Sequence, residues 1–188
     1  LKRNNMLFST TDIEGVLIYE PKVFNDDRGY FFESFRSSYF EELGITRPFI
    51  QDNQAFSTKG ALRGLHYQTG SYAQAKLVRV LLGEVLDVVV DIRPESKTFG
   101  RHYKIILSGD NHKQLYVPRG FAHGYLVLSE TAIFCYKCDN YYSKSHEGGL
   151  RYDDPNVGID WGFPANELNV SDKDLILPTL GTHISIDQ

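Results

Sequence analysis

What most constrains this chain is a succession of short β-rich runs with almost no helical periodicity between them. FIQDNQAF, ALRGLHYQ, AKLVRVLLG, EVLDVVVDI, HYKIIL, KQLYVP, HGYLVL and TAIFCYKCDNYY follow one another between residues 49 and 142. Each has strand length and β-branched or aromatic content. GVLIYEP (15–21), closed by a proline, and GYFFESF (29–35), preceded by the turn-like NDDRG, extend the pattern towards the N-terminus. Gly83 makes a tight link between two runs, and SGDN (108–111) is a turn. A parallel βαβ sheet needs a helical stretch between strands, and none of the right length is present. The expectation is therefore an all-β sandwich or barrel with a few short helices. SSYFEEL is the one clear helix, with Ser38 and Glu41 spaced as a capping box and Gly44 as the stop. SDKD (171–174) opens a second, shorter one.

Composition narrows the function classes. A chain of 188 residues without a linker, repeat or charge block reads as one domain over 1–188. Its 20 Lys and Arg against 24 Asp and Glu give a charge of -4, which argues against nucleic acid as a partner. Any anionic ligand must be held by a few placed cations. Two cysteines are too few for a disulfide scaffold. No run of about 18 apolar residues is present, so no membrane helix is expected. LKRNNMLFSTTD has no apolar signal region, so the expected compartment is the cytoplasm, with Met6 as the natural start and residues 1–5 a cloning leftover.

Several residues invite a chemical reading. Strand alternation puts His66 on one face with Gly64 and Gln68, either as a base in a polar barrel or as a hydrogen-bonded structural histidine. Lys76 shares a face with Val78 and Val80, so it is either buried against a partner or a strand-end lysine reaching solvent. In TAIFCYKCDNYY alternation places Tyr136 and Tyr142 on one face, where they could line one cavity or simply pack as core. Cys135 and Cys138 point to opposite faces and read as structural. PRGFAH (118–123) resembles the second motif of the metal cupins, but the first motif here offers only His66, so the usual metal signature is broken. Arg28, Arg63, Arg79, Arg119 and Arg151 are candidate phosphate ligands that composition alone cannot separate.

Longer segments carry a more specific signal. FNDDRGYFFESF, QDNQAFSTKGALRGLHYQ, QAKLVRVLLGEVLDVVVDIRPESKTFG, YVPRGFAHGYLVLSE and NYYS…EGGLRYDDPNVGIDW occur in this order. Together they resemble the dTDP-4-dehydrorhamnose 3,5-epimerase family over about residues 13–178. The resemblance implies a cupin-type jelly roll, working as a homodimer without metal or organic cofactor. It implies epimerisation at C3 and C5 of dTDP-4-dehydro-6-deoxy-D-glucose to dTDP-4-dehydro-L-rhamnose. By motif match, His66 resembles the proton acceptor, Tyr136 the proton donor, and Asp174 the aspartate that orients the histidine. Tyr142 matches the residue that stacks on thymine. Arg28, Glu33, Gln51, Asp52, Asn53, Arg63, Lys76, His123, Glu147 and Lys173 match ligand-binding positions.

The chemistry agrees. A 4-ketone acidifies the protons at C3 and C5, so inversion needs a base on one face, an acid on the other and a stabiliser for the enolate. Histidine titrates near operating pH, tyrosine can donate, and Lys76 can hold the O4 charge. Strict alternation puts Arg63 opposite His66, and a bulge at Gly64 would reconcile them. Glu147 reads as part of a mobile loop, and residues 16–19 as a strand that joins a neighbour's sheet. The competing readings are a C3-only epimerase or ketoisomerase, a metal-dependent cupin oxygenase using His66 and His123, and a non-catalytic sugar-binding jelly roll.

Overall fold

The computed structural model describes residues 7–187, so the reading of Met6 and residues 1–5 lies outside it. Along the chain the strands are β1 (Phe8–Thr10), β2 (Leu17–Tyr19), β3 (Phe24–Asp26), β4 (Gly29–Phe31), β5 (Gln51–Thr58), β6 (Ala61–Gln68) and β7 (Lys76–Leu82). They continue as β8 (Glu84–Asp91), β9 (His102–Ser108), β10 (Gln114–Val117), β11 (Phe121–Val127), β12 (Thr131–Cys138), β13 (Glu147–Gly149) and β14 (Asn169–Val170). Two short helices complete the set, α1 (Ser37–Glu41) and α2 (Asp172–Leu175).

Apart from β3 and β4, which pair only with each other, the strands form two facing sheets. One has the order β1-β2-β10-β7-β12-β5, and the other β13-β6-β11-β8-β9 with β14 added beside β6. Most neighbours in each list are far apart in sequence, as in a jelly roll, and the expected cupin-type all-β fold is the one observed. Between the sheets lies a core that includes Val78, Val80, Val85, Val89, Leu107, Val127 and Phe134. The second sheet is also covered on its outer face, where Leu62, Leu65, Val88 and Leu126 meet Val157 and Trp161 of the C-terminal segment. Burial on both faces explains why β8 and β11 read as nearly continuous apolar runs rather than alternating ones. The first sheet's outer face is capped by α1, whose Phe40 packs on Tyr19, Leu77 and Tyr116.

Some local expectations change. No capping box forms at α1: Ser37 and Ser38 lie inside the first turn, and Arg36 occupies the N-cap with extended backbone and no side-chain cap. Gly44 does take a positive φ of 83° just past the helix. GYFFESF pairs only over β4, in a hairpin with β3 that carries exposed Phe24, Tyr30 and Phe31. Residues 16–19 do not offer a free strand, because β2 is hydrogen-bonded to β1 on one side and β10 on the other.

The bulge is present and decides the site. Against β11, His66 pairs with His123 and Arg63 with Tyr125, so three steps on β6 match two on β11. Gly64 adopts a φ of 126°, and a Cβ there would lie 2.6 Å from the Gly124 Cα. Only glycine satisfies both demands. The extra residue switches phase, so Arg63 and His66 both face the cavity while Leu62 and Leu65 face the outer core.

Candidate active site

One end of the space between the sheets stays open as a cavity of about 330 Å³. Its wall includes Arg63 and His66 from β6, Lys76 from β7, His123 and Tyr125 from β11, and Phe134 and Tyr136 from β12. Lys173 and Asp174 of α2 close one side. These groups come from five elements: alternation turns the β7, β11 and β12 side chains inward, the bulge brings in both Arg63 and His66, and α2 supplies the last two.

His66 is held by a residue 108 positions away. Its Nε2 lies 2.6 Å from Asp174 Oδ1, and Asp174 Oδ2 accepts the Gly64 amide at 3.2 Å. The long reach is explained by β14, which runs parallel to β6 through Asn169–Ala61 and Val170–Leu62 and delivers α2 beside the histidine. Ser171 caps α2 by accepting the Asp174 N–H, so Asp174 itself is free to serve His66. Burial pushes the Asp174 carboxyl up, but the hydrogen bonds from His66, Gly64 and Ser171 together hold it below the ordinary carboxylate value. It is therefore ionised at neutral pH and an acceptor for the ring N–H, which leaves the other imidazole nitrogen as the basic one.

Lys76 is buried rather than snorkelling, with 9% exposure. Among the described residues its ammonium makes one hydrogen bond, a long 3.5 Å contact to the His66 carbonyl, and the Tyr136 ring centroid is 6.0 Å away. Desolvation lowers its pKa, opposed by Cys138, Asp87 and Glu147. Burial pushes the Tyr136 hydroxyl up to about 12, so it stays protonated and can donate. His66, Tyr136 and Lys76 thus gather a base, an acid and a cation around one apolar-backed space.

His123 is buried, and its Nε2 lies 2.9 Å from Asp87 Oδ2. Sequence reading missed Asp87. The available signal was an acid inside the apolar run EVLDVVVDI, in phase with the inward Val85 and Val89. Tyr125 was missed as well, although it lies two residues beyond His123 on the same inward face.

At the mouth, Glu147 bridges Lys173 at 2.5 Å and the Tyr142 hydroxyl at 3.1 Å. Glu147 begins β13, which is paired with β6, so it is fixed in a sheet and not in a mobile loop. Tyr142 lies beyond the end of β12, so it does not share a strand face with Tyr136; it stands 53% exposed at the rim. Gln51 accepts the Tyr142 amide and donates to Asn53, which bonds Cys138, on the same strand face as the cavity-lining Ala55. Asp52 faces the other way, paired with Lys137 at 2.7 Å. Arg63 is steadied by a 3.1 Å bond from its Nε to Ser57. Arg28 and Glu33 are not brought to this cavity: Arg28 pairs with Asp26 at the tip of the β3–β4 hairpin, 90% exposed, and Glu33 pairs with Arg36. Cys135 and Cys138 are both free thiols and buried.

Among the described residues no group of three or more His, Cys, Asp or Glu is arranged to hold a metal ion, and no helix is long and apolar enough to cross a membrane. The cavity histidines each spend a nitrogen on their own carboxylate.

Comparison with known proteins places the chain in a family. A family model described as dTDP-4-dehydrorhamnose 3,5-epimerase matches residues 10–182. The dTDP-4-dehydrorhamnose 3,5-epimerase of Escherichia coli K12 is 53% identical over 171 residues, covering 90% of this chain and 92% of that protein. The dTDP-6-deoxy-D-glucose-3,5-epimerase of Legionella pneumophila, solved with dTDP-4-keto-L-rhamnose, superposes with a TM-score of 0.90 at 48% identity, covering 93% of each chain. A 3'-monoepimerase of Streptomyces bikiniensis, solved with dTDP-quinovose, superposes at 0.84 with 36% identity, covering 92% of this chain and 87% of that one.

Proposed function

The chain belongs to the dTDP-4-dehydrorhamnose 3,5-epimerase family, and from that premise we propose how its cavity inverts C3 and C5 of a dTDP-4-keto-6-deoxy sugar. The activity is that of an isomerase. The 4-ketone makes each neighbouring C–H acidic. His66, with Asp174 holding its ring N–H, removes the proton. The electron pair moves into an enolate whose negative O4 is met by the buried Lys76 ammonium. Tyr136 delivers a proton to the opposite face of the carbon, and the ketone re-forms. Solvent then takes the proton from His66 and returns one to Tyr136, and a second round at the other carbon completes the inversion. Protons move and there is no net oxidation or reduction, so the scheme needs no redox cofactor.

The observation that carries the reading is the 2.6 Å His66–Asp174 contact inside a cavity shared with Lys76 and Tyr136. A positioned acid or base is worth about 10²–10⁴-fold in rate. Binding energy comes from the nucleotide, which is remote from the reacting carbons. Tyr142 offers the exposed aromatic face for thymine, while Arg63, His123, Glu147 and Lys173 with Gln51 and Asn53 hold polar parts of the ligand. Asp52 supports that strand through its Lys137 pair.

The proposal includes a homodimer in which Arg28, with Glu33 nearer the hairpin's base, serves the partner's cavity. Support comes from the hairpin itself, which leaves Phe24, Tyr30 and Phe31 exposed around an arginine that no group in its own cavity reaches. A nucleotide-sugar substrate makes the cytoplasm the compartment of this reading. The 53% identity to the Escherichia coli 3,5-epimerase, against 36% to the monoepimerase, favours inversion at both carbons.

The test is solvent exchange. The protein is incubated with dTDP-4-dehydro-6-deoxy-D-glucose in D2O and label is located by NMR. Deuterium at C3 and C5, abolished by His66→Ala, is the expected result. Label at C3 alone would make this a monoepimerase, and no label would overturn the enzyme reading for this substrate.

A further inference from the structure

Tyr125 stands on β11 two residues beyond His123, facing the same cavity. Its ring lies flat on Phe134, with centroids 4.0 Å apart and planes within 14°. That stack locks the ring, which is 5% exposed, and aims the hydroxyl at the cavity wall beside Ser57 and Arg63. Yet the Ser57 hydroxyl is engaged by Arg63 Nε at 3.1 Å, and no described residue makes a hydrogen bond of normal geometry to Tyr125 Oη. Arg119 Nη2 is the other such buried atom among the described residues, and Arg119 does not line this cavity.

Buried hydroxyls without a partner are rare, because desolvation without a compensating bond is unfavourable. A phenylalanine would make the same stack without that penalty. An uncompensated polar group persists where something outside the folded chain completes it. We propose that the Tyr125 hydroxyl donates a hydrogen bond to an oxygen of the 4-keto sugar and so fixes the pose of the hexose over His66, an assignment that rests on the epimerase reading above. The sugar, not the nucleotide, is the partner for a positional reason. Tyr125 sits deep, stacked on Phe134, whose ring also lies beside those of His123 and Tyr136. The exposed aromatic Tyr142 and the Glu147–Lys173 pair lie at the rim. Burial raises the Tyr125 pKa against the smaller lowering effect of neighbouring Ser57 and Arg63, which keeps the hydroxyl protonated and a donor at neutral pH.

Tyr125→Phe removes the one atom at issue and keeps the stack. The epimerisation kcat/KM for dTDP-4-dehydro-6-deoxy-D-glucose is expected to fall about tenfold, equivalent to about 1.4 kcal/mol. Affinity for dTDP alone, measured by calorimetry, should stay within about twofold, since the contact is to the hexose. The melting temperature of the unliganded protein should hold or rise, because an unsatisfied hydroxyl has gone. A kcat/KM within twofold of the parent would overturn the assignment. So would a fall in dTDP affinity that matches the kinetic loss, which would move the contact to the nucleotide. A lower melting temperature with unchanged kinetics would make the hydroxyl structural. Absence of turnover by the parent enzyme would instead remove the epimerase reading, and this assignment with it.

Discussion

Asp174→Asn is the sharpest perturbation of the proposed mechanism, because the structure decides which way the amide must point. Asp174 has two demands on it: Oδ1 faces His66 Nε2 at 2.6 Å, and Oδ2 accepts the Gly64 N–H at 3.2 Å. An asparagine has one oxygen and one NH2 for those two places. If its oxygen keeps the Gly64 amide, its NH2 donates to Nε2. The ring proton must then sit on the other nitrogen, the one needed as the base. If the amide is turned round, its NH2 meets the Gly64 N–H donor to donor in a buried place, which is unfavourable by about 1–3 kcal/mol. Both arrangements remove the productive tautomer or its support. The same exchange in a serine-protease triad lowers kcat by about 10⁴ for this tautomeric reason. Here we expect a kcat lower by about 10²–10⁴, or about 3–5 kcal/mol of barrier. KM should stay within about threefold, since Asp174 orients the base and holds no part of the nucleotide. Steady-state kinetics with deuterium incorporation at each carbon reads both quantities. The two exchange rates should fall together. A kcat within threefold of the parent, or a loss wholly in KM, would refute the role of Asp174 as the group that sets the histidine's tautomer.

Lys76→Met should separate activity from stability: kcat/KM falls at least about 10²-fold as the enolate loses its cation, while the melting temperature rises by about 2–4 °C per kcal/mol of relieved desolvation. Retained activity would remove Lys76 from the enolate site. If Arg28 acts in the partner's cavity, subunits with Arg28→Ala and His66→Ala, each inactive alone, should regain about a quarter of parental activity on 1:1 mixing. Random pairing makes half the dimers mixed, each with one intact site; no recovery after verified subunit exchange would place Arg28 elsewhere. Asp91 gives a pH prediction. Burial pushes its carboxyl up, but bonds from Arg93, Ser96 and Thr98 bring it down to about 2 from 3.8. The unfolded chain therefore binds this proton more readily, so the contribution, about 2 kcal/mol, is complete above pH 4 and lost as pH falls towards 2. Asp91→Asn should flatten that part of the stability curve in denaturant titrations, and an unchanged curve would refute the assignment.

Strand periodicity and turn residues determined the all-β class and located each central strand to within a residue or two, apart from the end of β12. They did so because a half-buried sheet demands alternation and a buried one demands β-branched bulk, and both demands are local. The motif resemblance then supplied the family, and with it the histidine and tyrosine of the site. Local reading misplaced Tyr142, because alternation was continued through DNYY past the point where β12 loses its partners. It could not say whether Lys76 was buried, since that depends on the opposite sheet. Asp87 and Tyr125 were legible as inward positions only after the phase of β8 and β11 was known. Above all, the His66–Asp174 pair spans 108 residues and exists because β14 docks alongside β6. The bulge at Gly64 was foreseeable as a need, but its place was settled by the close approach of Gly124 on the neighbouring strand. A sequence carries periodicity and composition within each strand. Which strands face each other, and therefore which side chains share a cavity, is fixed only when the two sheets close on one core.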